Sequence, residues 1–72
     1  MRQYYGIVDS YDEKKGFGFI SLPDFPFEED VFVHASAIQA TGQEALIPEQ
    51  AVRFSIVEGH SGPQAVNVQN DD

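Results

Sequence analysis

Two short stretches constrain this chain most: KKGFGFI from Lys14 to Ile20, and VFVHAS from Val31 to Ser36. At the two-residue period of a strand, the first sets Phe17 and Phe19 on one face and Gly16, Gly18 and Ile20 on the other. In the second, Phe32 and His34 share a face while Val31 and Val33 point the opposite way as the core set. A strand loses packing at glycine unless it bends sharply or another backbone comes close, so inward glycines predict a small, tightly curved barrel. Alternating aromatics usually belong to a core. Here, however, a polar histidine shares the Phe32 face, and the other face already has its own aliphatic set in Ile20, Val31 and Val33. Adjacent strands then gather Phe17, Phe19, Phe32 and His34 into one exposed patch, and such a patch on a small domain usually binds something. Lys14 and Lys15, half of the four basic residues, open the aromatic strand. Rings beside a cation suit single-stranded nucleic acid, whose bases stack while phosphate is neutralised nearby.

The rest of the chain supplies the other walls of a barrel. Gln3 to Tyr11 reads as a first strand with Val8 inward and Tyr5, Ile7, Asp9 and Tyr11 on the opposite side. DEKKG makes the turn, with Asp12 and Glu13 giving it hydrogen-bonding character. Gly16 begins the second strand, and Lys14 to Leu22 carries the first of the two stretches. Ser21 to Asp30 is a loop, since Pro23 and Pro26 cannot both sit in a paired central strand. Phe25 and Phe27 stand in that loop among acids, either folded down to cap the barrel or free as an added stacking platform or a handle for a protein partner. Val31 to His34 is the third strand, followed by a connection from Ala35 to Gln43 with one helical turn around Ser36 to Ile38. Leu46 and Ile47 are apolar anchors before Pro48. Ala51 to Glu58 alternates with Val52, Phe54 and Ile56 on one face and Arg53 and Ser55 on the other. Gln64 to Gln69 closes the sheet with Val66 and Val68 inward, and Asn70, Asp71 and Asp72 form a frayed acidic tail. Five short strands with turn-rich connections predict a small antiparallel barrel over one domain, residues 1–72, with its ordered core at about 3–69.

Seventy-two residues allow one thin core, and the absence of cysteine removes disulfides and thiolate metal sites. No apolar run approaches a membrane span and MRQYY has no signal-peptide character, so a soluble cytoplasmic protein is expected. The charge balance opposes the aromatic patch. Four Lys and Arg against twelve Asp and Glu give a net charge of -8, which repels a polyanion.

KGFGFI followed by DVFVHASAI resembles the paired ribonucleoprotein motifs of the bacterial cold-shock proteins, OB-fold barrels that bind single-stranded RNA and DNA. The resemblance extends through Gly6 to Val8 and through EGHSGPQAVNV from Glu58 to Val68, nearly the whole chain. It implies a five-stranded OB-fold with a binding face in Lys15, Phe17, Phe19, Phe32 and His34. Tyr11 stands at a further aromatic position, Asp30 accepts from base edges, and Lys14, Phe25 and Phe27 are auxiliary. The departures remove cations and rings. Where the family reads Lys-Trp-Phe-Asn, this chain has Asp9, Ser10, Tyr11 and Asp12. Ala35 follows the histidine where an aromatic is common, Gln43 and Glu44 replace an aromatic and a lysine, and Ser61 replaces an arginine.

The resemblance therefore implies a sequence-tolerant binder of single strands with weakened affinity, acting as an RNA chaperone or a regulator of transcription or translation. The competing reading is a protein-interaction module on the same scaffold, with a basic protein partner. Catalysis is not expected, because His34 and His60 lack a thiol partner and Glu28, Glu29, Asp30 and His34 lack a metal-ligand spacing. No cofactor, metal, small-molecule substrate or membrane is implied.

Overall fold

The computed structural model describes residues 2–39, 45–60 and 62–71. The strands are β1 (Tyr4–Asp12), β2 (Phe17–Ser21), β3 (Val31–His34), β4 (Ala51–Gly59) and β5 (Gly62–Asn70), with a 3-10 turn over Ala35–Ala37 after β3. They form a closed barrel in the order β1-β2-β3-β5-β4, with β4 returning to β1. This is the five-stranded barrel expected. Its pairs are antiparallel except where β3 meets β5 in parallel, Phe32 against Gln64. Closure leaves the strands no free edge, which is how so small a β fold avoids pairing with other chains.

The interior is filled by Val8 from β1, Ile20 from β2, Val31 and Val33 from β3, Val52 and Phe54 from β4, and Ala65 and Val68 from β5. Two glycines let the walls come this close. A Cβ on Gly6 would lie 2.4 Å from Ile20 Cγ2 and 2.7 Å from Phe54 Cε1, and one on Gly18 would lie 2.1 Å from the Ser10 carbonyl oxygen. Gly18 is therefore the close backbone approach that its place on the inward side predicts.

Two β-bulges break the strict alternation of the sequence. In β1, Val8 faces Ile20 but Ser10, not Asp9, faces Phe19, so Asp9 is an extra residue and the face order inverts beyond it. Tyr11, expected outward with Asp9, instead lies opposite Gly18 and packs half-buried against the core. Between β4 and β5, Arg53 faces Gln69 and Ser55 faces Val66, which leaves an extra residue on β5, where Asn67 adopts a φ of 54°. Ala65 and Val68 then fill the core, while Val66, expected inward, is only half-buried. Ser55, expected outward, is 5% exposed.

Three smaller expectations also change. Leu46 joins the core, but its neighbour Ile47 is 65% exposed and anchors nothing. Asn70 ends β5 rather than fraying. The Asp71 backbone N–H donates to the Ala51 carbonyl at 3.1 Å, and its carboxylate accepts from Arg53 Nε at 2.5 Å. Gln43, Glu44, Ser61 and Asp72 lie outside the described residues.

Candidate functional site

The hairpin of β2 and β3 carries no bulge. Phe17 faces His34 and Phe19 faces Phe32, so alternation puts all four side chains on its outer face, over a core of Ile20, Val31 and Val33. The three rings form a triangle. Phe17 and Phe32 stack at 5.6 Å and 30°, while Phe19 meets Phe17 edge-on at 6.4 Å and Phe32 at 6.0 Å. Each such contact stabilises by about 0.5–1.5 kcal/mol beyond its buried area, so the rings hold one another in place without any ligand. Phe19 stays 37% exposed, with Phe17 and Phe32 half-buried beside it.

His34 is oriented by the turn that follows it. Its Nδ1 accepts the Ser36 backbone N–H at 3.1 Å, with Ser36 Oγ 3.0 Å away. An accepting Nδ1 places the proton of the neutral ring on Nε2, which becomes the donor available at the exposed end of the patch.

The lysines are set by Asp12. Its Oδ1 accepts from the backbone N–H groups of Lys14 at 2.9 Å and Lys15 at 3.1 Å, and its carbonyl accepts from Gly16 at 2.8 Å. Gly16 supplies the φ of 75° that ends the turn, and its carbonyl takes the Ala35 N–H at 2.8 Å. The turn that carries both exposed cations is thus tied to the end of β3. From sequence, Asp12 shows only a general turn character; its place two and three residues ahead of the amides it binds is the signal for this positioning role.

Asp30 lies just ahead of β3 and interacts with Asp9, the bulged residue of β1. Its carboxyl titrates above the ordinary carboxylate range, chiefly through desolvation, with the Asp9 charge and a side-chain hydrogen bond to Asp9 adding to the shift. Tyr11 does not join the rings. It packs beneath the sheet, and desolvation followed by the Glu13 charge pushes its phenol up.

The loop aromatics separate. Backbone bonds from Phe25 N–H to the Leu22 carbonyl at 2.9 Å and from Glu28 N–H to the Phe25 carbonyl at 3.0 Å fold the loop into successive turns. Phe25 then meets Tyr4 edge-on at 6.1 Å, and Tyr4 stacks on the core residue Phe54 at 6.4 Å, so Phe25 touches the barrel through Tyr4 while staying 40% exposed. Phe27 is 100% exposed. Neither ring contacts the Phe17, Phe19 and Phe32 cluster. Among the described residues no group of three His, Cys, Asp or Glu stands close enough to hold a metal ion, and no helix is long and apolar enough to cross a membrane.

Comparison with known proteins agrees with this geometry. The 'Cold-shock' DNA-binding domain family matches residues 4–70. The chain is 52% identical over 63 residues to the cold shock-like protein CspB of Bacillus cereus, covering 88% of this chain and 92% of that protein. It is 51% identical over 63 residues to the cold shock protein CspA of Staphylococcus aureus, covering 88% and 91%. With the cold shock-like protein CspE of Buchnera aphidicola it shares 48% over 68 residues, covering 94% and 96%. Among solved structures, Drosophila Unr CSD456 superposes with a TM-score of 0.79 at 21% identity over 99% of this chain and 27% of that one, a likeness of fold.

Proposed function

The chain belongs to the cold-shock domain family, and we propose that it binds single-stranded RNA or DNA with little sequence preference and with an affinity lowered by the acids around its aromatic face. The observation that carries this reading is the triangle of Phe17, Phe19 and Phe32, held outside a core that is complete without it. Unpaired bases stack on the rings, Phe19 first because it is the most exposed, and His34 Nε2–H donates to a base edge or a phosphate. Lys15 and Lys14 neutralise phosphate from the turn. A duplex offers no free base faces, so binding shifts RNA towards its open form, as an RNA chaperone or a regulator of transcription or translation requires. The function is binding rather than catalysis and needs no cofactor. Residues 1–72 act as one domain in the cytoplasm.

A second reading, a protein-interaction module that has lost most nucleic acid binding, is supported by Asp9, Asp12 and Asp30 standing beside the rings. Anisotropy of a labelled pyrimidine strand of about seven nucleotides, titrated at low and moderate salt, separates the two. The expected result is saturable binding with a shallow salt slope that Phe19→Ala weakens. Absence of binding at low salt would leave the interaction module as the function.

A further inference from the structure

A cavity of about 360 Å³ opens beside the barrel between β1, β4 and the loop ahead of β3, sharing no residue with the aromatic face. Its apolar surface comes from Tyr4, Leu22, Phe25, Val31, Ile56 and Pro63. Glu28, Glu29 and Glu58 also line it, and among the described residues none of the three is held in an ion pair. The chain's own Arg2 reaches in, with its guanidinium carbon 5.3 Å from the centre of the Tyr4 ring. A cation over an aromatic face, in a cavity that three carboxylates also line, shows what this cavity accommodates.

We propose that this cavity docks an arginine- or lysine-bearing segment of a basic partner protein, whose side-chain stem packs on Tyr4, Phe25 and Ile56 while its charge meets the glutamates. Charge complementarity selects this occupant. Phosphate is repelled by the three carboxylates, and a second copy of a chain with a net charge of -8 adds repulsion over the whole surface. Long basic side chains suit the lining, because their methylenes cover apolar surface while the head group stays at the charged rim. Phe27, fully exposed, precedes Glu28 in the loop that lines the cavity. The partner would be held independently of the nucleic acid, letting one chain carry both.

The test uses the full chain and a short labelled peptide alternating arginine with leucine. Glu28→Gln with Glu58→Gln should weaken peptide binding by about tenfold, and Phe25→Ala by a similar factor, each measured as Kd. Glu13→Gln with Glu49→Gln removes the same charge from exposed positions away from the cavity and should leave the Kd within about twofold. Amide shifts on titration should centre on Tyr4, Phe25 and Ile56, and a saturating single strand should not displace the peptide. Equal weakening by both glutamate pairs would reduce the contact to general attraction between opposite charges and overturn the proposal. Shifts centred on Phe17 to His34, displacement by the single strand, or dimerisation that occupies the cavity would overturn it as well.

Discussion

The carboxyls of Asp9, on β1, and Asp30, just ahead of β3, interact across the intervening strand β2. A bulge puts Asp9 there, and the resemblance to cold-shock proteins places a lysine at its position. Two acids thus stand where an acid and a cation would be expected.

This pair gives the protein a pH response of definite sign. The folded-state pKa of Asp30 lies above its unfolded value, so ionising it works against the fold. Its contribution to stability is greatest at low pH, declines as pH rises from the ordinary aspartate range through the raised value, and is lost above it. Protonation also removes a negative charge beside the rings, so single-strand binding should tighten as pH falls through that window. Anisotropy titrations across acidic pH check this, with Asp30→Asn as the variant in which this response vanishes.

Restoring a cation and a ring to β1 should strengthen the site. Ser10 lies opposite Phe19, so a tryptophan there extends the aromatic triangle, while Asp9→Lys turns the acid pair into an ion pair. Stacking on one added ring is worth roughly 1–3 kcal/mol, so Asp9→Lys with Ser10→Trp should bind about five- to a hundredfold more tightly. One added phosphate contact should steepen the single-strand salt slope by about 0.7. Anisotropy at several salt concentrations reads both, and an unchanged slope would place Asp9 outside the path of the phosphates.

Aromatic truncations should divide by face. Phe17→Ala removes a half-buried outer ring with its contacts to Phe19 and Phe32, so it should weaken single-strand binding at a stability cost of about 1–3 kcal/mol, less than that of a core ring. Phe54→Ala empties the centre of the barrel, where the ring is 0% exposed, and should cost about 3–5 kcal/mol in chemical denaturation. A large loss of stability on truncating Phe17 would mean that the hairpin depends on its outer rings.

Glycine substitutions should rank by clearance. Gly18→Ala drives a methyl to 2.1 Å from the Ser10 carbonyl oxygen, where only backbone movement relieves the clash, and should prevent barrel closure or destabilise it severely. At Gly62 nothing lies within 4 Å of the added Cβ, but the φ of 98° disfavours a side chain, so Gly62→Ala should cost about 1–3 kcal/mol. Urea denaturation followed by circular dichroism orders the two.

The outer face of the hairpin was legible because β2 and β3 pair without interruption, so two-residue parity alone separates Phe17, Phe19, Phe32 and His34 from Ile20, Val31 and Val33. The same parity fails on β1 and β5. A bulge inserts one residue and exchanges the two faces beyond it, and hydrophobicity carries no mark of where this occurs. Tyr11 and Val66 were therefore read on the wrong sides, although Asn67, of a residue type that tolerates positive φ, hinted at the second bulge. The meeting of Asp9 with Asp30 joins residues far apart in the chain, and only the closed barrel brings them together. Ile47 illustrates another limit, since apolar character alone does not say which of two adjacent residues faces inward.

The strand order also has a kinetic side. β1, β2 and β3 form a meander and β4 with β5 forms a hairpin, so the chain divides into two pieces, each built from antiparallel pairing between consecutive strands. Joining them requires distant partners, such as Tyr4 with Phe54 and Phe32 with Gln64, and the loop-closure entropy of those contacts opposes folding until the pieces dock. All the rings of the triangle belong to the first piece. Residues that tune binding can therefore vary within one half of the chain, while the rate of barrel assembly is governed by the seams between the halves.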